Sequence, residues 1–225
     1  RDRDVTGVQT CALPIYWKDN LGGIIMLEIE NELWAKEYNY IACIDEVGRG
    51  CLAGDVVACA IIMPKGLLID GVKDSKKLSA KKREYLYDVI LENSIAYGIG
   101  QVDASTIDKF NIKESTRLAM KIAVMNLRDK NEKMIVPDYL MVDAEKVYID
   151  IPQLSIIKGD DKSHGIACAS IIAKVYRDRQ CQIWGEKYNG YGIERNKGYG
   201  TKEHRDAIKK LGPSPIHRLT FLKKI

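Results

Sequence analysis

Short apolar runs alternate with longer amphipathic stretches along most of this chain of 225 residues. The runs that are bounded by turn residues predict five strands, over residues 38–45, 55–63, 96–102, 139–143 and 155–158. The stretches with helical periodicity predict helices over residues 27–34, 80–92, 106–110, 112–128, 163–188 and 201–211. This order indicates an α/β domain with a mixed sheet and a helical C-terminal section.

Local signals refine some of these elements. The short link with Gly50 and Gly54 between the first two strands favours an antiparallel hairpin. Ser79 and Thr201 are suitable N-caps for the helices that follow them. In the helix over residues 112–128, we expect the buried stripe to consist of Leu118, Ile122 and Met125.

The first residues of the chain differ from the rest. Residues 1–25 mix charges, Pro14 and Gly22-Gly23 without any period, and Met26 then opens the first predicted helix. We interpret residues 1–25 as a non-native or disordered extension, and residues 26–225 as one folded domain.

Carboxylates follow three of the predicted strands. Asp45-Glu46 ends the first strand, Asp143 ends the fourth, and Asp160-Asp161 comes shortly after the fifth. Each aspartate alone is equally well explained as a turn residue. If the three strands lie side by side, however, four carboxylates converge at one edge of the sheet and repel one another unless cations join them. Two divalent ions about 4 Å apart would neutralise such a cluster, and oxygen ligands favour Mg²⁺ or Mn²⁺ over Zn²⁺.

The segment Gly48-Arg49-Gly50 directly follows the first acidic pair. Glycines allow a ligand to approach the backbone N–H groups closely, and the arginine supplies a planar fork of donors for phosphate. Acids suited to a metal beside donors suited to phosphate indicate phosphodiester chemistry.

Composition and charge limit the kinds of binding partner and the cellular compartment that we expect. Lys and Arg exceed Asp and Glu by 35 to 31, which permits a polyanionic partner without demanding one. Six cations lie within residues 73–83; such a run is usually a solvated helix face, but beside a phosphodiesterase site we interpret it as a phosphate-contacting patch. No apolar run is long enough to span a membrane. The 6 cysteines form no CxxC pair, so we expect small core residues and a cytoplasmic protein.

Six segments of the chain together form a pattern more specific than any one of them. They are residues 44–50, 73–78, 142–143, 158–160, 169–178 and 197–204. These segments resemble the signature blocks of bacterial ribonuclease HII, in the order of that family, and the resemblance extends over roughly residues 27–221. It implies a ribonuclease H-like mixed sheet flanked by helices, cleavage of the RNA strand in RNA–DNA hybrids, and incision on the 5′ side of a single ribonucleotide embedded in duplex DNA.

The resemblance also implies roles for individual residues. The catalytic acids that bind two Mn²⁺ or Mg²⁺ ions are Asp45, Glu46, Asp143 and Asp160, with Asp161 as the alternative for the last place. Gly48, Arg49 and Gly50 resemble the loop that reads the ribose 2′-hydroxyl, and Tyr199 resembles the tyrosine that packs on the next sugar. The remaining substrate-binding residues are Lys76, Ser170 and Lys174. Independently of the resemblance, the basic residues on the long helix and near Tyr199 are further candidates for phosphate contacts, namely Arg177, Arg179, Lys197, Lys202 and Arg205.

The chain departs from the family pattern at three positions: Cys51 and Asp55 stand where proline or a small residue is common, and Ala144 stands where glycine is frequent. Three other classes of protein also need to be considered. They are a junction-resolving or transposase-like nuclease of the same fold class, ribonuclease HIII with its additional N-terminal domain, and a non-catalytic nucleic-acid-binding module. We expect a monomer whose partners are RNA–DNA hybrids and ribonucleotide-containing duplex DNA, with no membrane association.

Overall fold

A five-stranded mixed sheet lies at the centre of the computed structural model, which describes residues 26–73 and 75–224. The interpretation of residues 1–25 therefore lies outside the described residues. The strand order is β3-β2-β1-β4-β5. The strands are β1 (Ile41–Val47), β2 (Val56–Ile62), β3 (Ala96–Val102), β4 (Tyr139–Asp143) and β5 (Gln153–Ile156).

The direction of the strands determines which ends meet. β2 is antiparallel to both β1 and β3, so the predicted hairpin is confirmed. β4 runs parallel to β1, and β5 runs parallel to β4. Because Ile44 pairs with Val142, the next residues along these two strands are Asp45 and Asp143. The carboxyl ends of β1 and β4 therefore meet at the same edge of the sheet.

Helices cover both faces of this sheet, and the predicted helical C-terminal section is confirmed. The helices are α1 (Glu28–Ala35), α2 (Ala80–Asn93), α3 (Ala104–Met125), α4 (Gly159–Lys162), α5 (His164–Lys187), α6 (Ile193–Asn196) and α7 (Lys202–Leu211). As predicted, the side chains of Ser79 and Thr201 cap α2 and α7 by accepting from the backbone N–H groups of Lys82 and His204. Two 3-10 segments, Ser75–Lys77 and Leu219–Lys224, complete the described structure.

Alternate residues of the central strands face the two halves of the core. Cys43 and Met141 pack with α5 on one face of the sheet, whereas Ile44 and Val142 pack with α3 on the other. By this alternation Asp45 and Asp143 face α5, and Glu46 faces the opposite side. The five cysteines for which the structure gives burial are buried and free, as expected of small core residues.

The predicted break between the helices over residues 106–110 and 112–128 is confirmed as a kink within α3. Asn111 has φ +68, and its Oδ1 accepts from the backbone N–H groups of Lys113 and Glu114. This side-chain cap restarts the helix after the non-helical residue.

The predicted buried stripe of that helix is wrong. Leu118 and Met125 are 40% and 56% exposed, and Ile122 is only partly buried; small residues such as Ala119 and Ala123 face the sheet instead. The reason lies in β3. A Cβ added at Gly100 would lie 2.0 Å from the carbonyl oxygen of Ala119, and one added at Gly98 would lie 2.3 Å from the carbonyl oxygen of Ala123. The helix backbone therefore packs directly on the glycines of the strand, and large side chains are excluded.

The region after β4 also differs from the prediction. β5 spans Gln153–Ile156 rather than residues 155–158. Lys158 adopts a left-handed conformation with φ +56, and α4 begins directly after it. Asp160 therefore lies in a short helical turn and not at the end of a strand. Helix α6, in the expected loop before Tyr199, was not predicted.

Candidate active site

Two of the expected catalytic acids lie at the end of β1. Asp45 is only 5% exposed, and its Oδ1 accepts from the backbone N–H of Glu46 at 2.7 Å. The hydroxyl of Ser170 on α5 lies 2.9 Å from the hydroxyl of Ser75, and its interaction with the Asp45 side chain opposes the rise in the pKa of that carboxyl. The buried carboxylate is thus supported from the helix that covers this face of the sheet.

The third acid, Asp143, lies at the end of the neighbouring strand. Its Oδ1 accepts from the backbone N–H of Gly159 at 2.7 Å, which ties the end of β4 to the start of α4. Asp160 is the next residue of α4 and is buried, whereas Asp161 is exposed. Asp160 is therefore the buried member of the pair of aspartates that the sequence left as alternatives.

Burial and neighbouring negative charges make ionisation of these acids unfavourable. Burial raises the pKa of Asp45 well above its usual range, and the charges of Glu46 and Asp143 raise it further. Burial likewise raises the pKa of Glu46 to about 6, although Arg49 opposes this effect. The three carboxylates are close enough to destabilise one another when they are ionised, and a cation would relieve that repulsion.

Arg49 supplies part of the missing positive charge. Its guanidinium lies 3.3 Å from Glu46 Oε1 and 3.3 Å from Glu145 Oε1, and its side chain is 40% exposed. Arg117 contacts the other oxygen of Glu145 at 3.1 Å. Glu145 was not identified from the sequence, because no motif marks it and only the fold brings it to Arg49.

The donor set suits a hard divalent cation, although it is not yet arranged around one. Glu46 Oε2 is buried, and none of the described residues hydrogen-bonds to it. Within the described ranges, however, no group of three or more His, Cys, Asp or Glu side chains is positioned to hold one metal ion as it stands. Carboxylate oxygens are the ligands that Mg²⁺ and Mn²⁺ prefer. The residues therefore fit such an ion in chemistry.

The two predicted substrate loops lie against each other. The backbone N–H of Leu52 donates to the Gly198 carbonyl at 2.7 Å, and Cys51 Sγ contacts the Lys197 carbonyl at 3.5 Å. Gly198 has φ +82, and a Cβ there would lie 2.4 Å from the Ala53 carbonyl oxygen. This close approach brings the segment around Tyr199 beside Gly48-Arg49-Gly50.

Two fully buried arginines, Arg177 and Arg218, hold the backbone of these loops in place. Arg177 donates to the backbone carbonyls of Asp55, Lys197 and Ala53 at 2.9, 2.7 and 3.1 Å. Arg218 donates to the carbonyls of Arg49 and Gly54. The expectation that Arg177 contacts phosphate is therefore wrong, because its side chain is 0% exposed and its donors bind the protein backbone.

The surroundings of Gly48 and Gly50, the two glycines of the first loop, differ. Gly48 has φ +92, and a Cβ there would lie 2.4 Å from Arg177 Nε, so the buried arginine requires a residue without a side chain. At Gly50, by contrast, no described atom lies within 4 Å of an added Cβ. The backbone around Gly50 therefore has open space for a ligand.

The other predicted substrate residues differ in accessibility. Tyr199 is 42% exposed at the loop surface, and Lys76 is exposed in the 3-10 segment before α2. Lys174 is partly buried, with its Nζ 2.6 Å from Asp178 Oδ1. Ser170 is 5% exposed, and its hydroxyl hydrogen-bonds that of Ser75 close to Asp45.

Comparison with known proteins decides the family. The family model described as Ribonuclease HII matches residues 42–224. The Ribonuclease HII of Alkaliphilus oremlandii is 59% identical over 199 residues, which cover 88% of this chain and 98% of that protein. The chain belongs to the ribonuclease HII family. The Ribonuclease HII of Alkaliphilus metalliredigens is also 59% identical, over the same shares of the two chains.

A solved structure supports the ribonuclease HII fold. The crystal structure of the ribonuclease H2 from Pyrococcus horikoshii superposes with a TM-score of 0.67 at 26% identity, and the match covers 82% of this chain and 95% of that one. The expected ribonuclease H-like mixed sheet flanked by helices is therefore confirmed.

Membership in the ribonuclease HII family settles the class of activity. The protein is a metal-dependent endoribonuclease that acts on the RNA of RNA–DNA hybrids. Membership in this family favours a ribonuclease HII over a transposase-like nuclease and over a non-catalytic nucleic-acid-binding module. No helix in the described part of the chain is long and apolar enough to cross a membrane.

Proposed function

We propose that this ribonuclease HII incises duplex DNA on the 5′ side of a single embedded ribonucleotide, with two Mn²⁺ or Mg²⁺ ions bound by Asp45, Glu46, Asp143 and Asp160. The observation that carries this proposal is the convergence of buried acids at the parallel ends of β1 and β4. The raised pKa of Asp45, the pKa of Glu46 near 6 and the unpartnered Glu46 oxygen all favour an added cation.

Each acid has a distinct part in this proposal. Asp45 and Asp143 face the same side of the sheet, and their carboxylates approach the metal site from neighbouring strands. Glu46 approaches from the other side of β1, where Arg49 balances its charge in the protein alone. Asp160 is preferred to Asp161 as the fourth ligand because it is the buried one of the pair. When bound, the divalent ions supply the charge that activates a water and stabilises the leaving oxygen.

Substrate selection is assigned to the two adjoining loops. The open backbone at Gly50, together with Gly48 and Arg49, suits recognition of a 2′-hydroxyl, which is the group that distinguishes a ribonucleotide from a deoxyribonucleotide. The exposed ring of Tyr199 suits packing on the neighbouring sugar. Lys76 and Lys174 are assigned to phosphate contacts, and Ser170 is assigned to substrate binding next to Asp45. These contacts depend on backbone and sugar, so we expect little dependence on base sequence.

The experiment compares two substrates. The first is a DNA duplex with one ribonucleotide, and the second is a continuous RNA–DNA hybrid, each with Mg²⁺, with Mn²⁺ or with a chelator. We expect a cut on the 5′ side of the ribonucleotide that requires the metal. Tyr199→Ala should lose more activity on the single ribonucleotide than on the hybrid.

A matched control separates this effect from a general one. Tyr40 is exposed to a similar degree, at 43%, but it precedes β1 and lies at the opposite end of that strand from the acids. Tyr40→Ala should therefore retain wild-type activity on both substrates. Equal fractional losses on the two substrates in Tyr199→Ala would refute the assignment of Tyr199 to the junction.

We also propose that the enzyme acts as a monomer in the cytoplasm. A mass near 25.4 kDa in solution by light scattering is the expected result, and a dimeric mass would contradict it.

A further inference from the structure

A buried pair of histidines lies directly behind Tyr199. His204, in the first turn of α7, is 0% exposed, and His217, in the segment after α7, is 3% exposed. Their Nε2 atoms are 3.0 Å apart. The ring of Tyr191 packs over both of them, with its centroid 4.8 Å from that of His217. Neither histidine belongs to the metal site or to the loops that contact substrate.

The outer ends of the pair bind backbone groups whose roles are fixed. Nδ1 of His204 lies 2.9 Å from the carbonyl oxygen of Tyr199, which can only accept a hydrogen bond. Nδ1 of His217 lies 2.9 Å from the backbone nitrogen of Ser214, whose N–H can only donate one, and 2.8 Å from the Ser214 hydroxyl, which can donate to the same nitrogen. Nδ1 of His204 must therefore carry a hydrogen, and Nδ1 of His217 must not.

These two assignments make the central contact complementary. A neutral His204 with its hydrogen on Nδ1 has an accepting Nε2, and a neutral His217 without a hydrogen on Nδ1 has a donating Nε2. A hydrogen-bonded chain therefore runs from Ser214 through His217 and His204 to the Tyr199 carbonyl. Burial lowers the pKa of both histidines, that of His217 to about 4 with a further contribution from His204, and Glu203 opposes the shift at His204.

The far end of the chain is connected to the other substrate loop. His217 pairs with Ala53 in an isolated bridge, and the next residue, Arg218, donates to the carbonyls of Arg49 and Gly54. The histidine pair thus lies between the segment that carries Tyr199 and the segment that carries Gly48-Arg49-Gly50. Movement of either segment relative to the other would break a buried hydrogen bond.

We propose that His204 is a positioning residue that keeps Tyr199 in register with the Gly48-Arg49-Gly50 loop, and that His217 fixes the tautomer that His204 needs for this role. The inference rests on the proposed function of Tyr199 as the reader of the sugar after the ribonucleotide. His204 acts on specificity and not on the chemical step, since it contacts the carbonyl of Tyr199 and none of the four acids.

The test uses two substitutions at the same position. His204→Gln places its amide near the former Nε2, so it loses the bond to Tyr199. His204→Asn places its amide near the former Nδ1, so it retains a donor for Tyr199 and loses the bond to His217. Each variant breaks one bond of the same buried chain, but only His204→Gln releases Tyr199. Lys209→Gln, on the exposed side of α7, is the control for substitution in this helix.

The measured quantity is the ratio of kcat/KM on a single embedded ribonucleotide to kcat/KM on a continuous hybrid. We expect His204→Gln to lower this ratio about fivefold, the factor that one neutral hydrogen bond supplies. His204→Asn and Lys209→Gln should leave it near the wild-type value. Because His204 acts through Tyr199, adding His204→Gln to Tyr199→Ala should lower the ratio no further.

The outcomes separate this inference from the proposed function. If Tyr199→Ala lowers the ratio and His204→Gln does not, the inference fails and the proposed function stands. Equal effects of His204→Gln and His204→Asn would also overturn it, because they indicate general loss of packing. If Tyr199→Ala leaves the ratio unchanged, the reading of the junction by Tyr199 fails, and the inference fails with it.

A second measurement needs no variant and covers the case in which the substitutions prevent folding. Nitrogen-15 NMR of the wild-type protein distinguishes the two neutral tautomers of each histidine. The inference requires the Nδ1–H form of His204 and the Nε2–H form of His217 at neutral pH. The opposite tautomers, or a charged His204, would overturn it whatever the kinetics show.

Discussion

Replacing Glu46 with glutamine should stabilise the metal-free protein. The pKa of Glu46 is raised from 4.5 to about 6, chiefly by burial. A carboxyl that titrates near 6 in the folded state and near 4.5 in the unfolded state lowers the free energy of unfolding by about 2 kcal/mol at pH 8. Because the folded-state pKa is the higher one, this loss grows as the pH rises from about 4.5, is below about 1 kcal/mol at pH 5, and is nearly complete above about pH 6.

Glutamine keeps the size of the side chain and removes its charge. Glu46→Gln should therefore be more stable than the wild type by up to about 2 kcal/mol at pH 8, and the difference should shrink at pH 5. Urea denaturation followed by circular dichroism, in a chelator at both pH values, measures this difference. Glu92→Gln, at an exposed position of α2, should change stability little at either pH.

The same substitution should also change the activity of the enzyme. Because Glu46 is a proposed metal ligand, Glu46→Gln should lose cleavage while it gains stability, the trade expected of a strained site. If the variant is less stable than the wild type at pH 8, burial of the charged Glu46 does not destabilise the protein. A difference in stability that is the same at both pH values would contradict titration of Glu46 as its cause.

Two further predictions concern the region after β4. Ala144 is exposed and has φ +47, so Ala144→Gly should raise the free energy of unfolding by about 1 kcal/mol and the melting temperature by about 2–4 °C. Ala80→Gly, in the first turn of α2, is the control for the same substitution in a helix. A melting temperature of Ala144→Gly below that of the wild type would contradict this prediction. Asp160→Asn should lose nearly all cleavage and Asp161→Asn should retain most of it, as measured by kcat with Mg²⁺; the reverse order would place the fourth ligand at Asp161.

The strand pattern was readable from the sequence because local signals determine it. The apolar run that ends in Asp45 and the one that ends in Asp143 become adjacent parallel strands, so their acids meet as expected. Asn111 interrupts the helical period, and the kink of α3 lies there. The N-caps at Ser79 and Thr201 follow from the same kind of local chemistry.

The predictions that failed depended on contacts between distant segments. The stripe through Leu118 and Met125 follows apolar periodicity, but the approach of α3 to the glycines of β3 favours Ala119 and Ala123. The charge of Arg177 indicated phosphate, and only its burial beneath Gly48 shows that it binds the loop backbone.

Residues that sequence reasoning missed share the same cause. Glu145 contacts Arg49, and Arg218 contacts the carbonyl of Arg49 from far along the chain. His217 meets His204 only because the segment after α7 turns back over the first turn of that helix. No motif reports such pairings, since each residue alone is chemically ordinary.

In the proposed mechanism, Asp143 and the neighbouring acids bind the metal that drives cleavage. The most direct measurement compares the wild type with Asp143→Asn on a duplex that contains one ribonucleotide, with cleavage in Mg²⁺ and duplex binding by fluorescence anisotropy in parallel. We predict that the wild type cuts only on the 5′ side of the ribonucleotide, and that Asp143→Asn binds the duplex with similar affinity but hardly cuts it. Wild-type turnover by Asp143→Asn, or cleavage by the wild type in a chelator, would contradict the assignment of these acids as metal ligands.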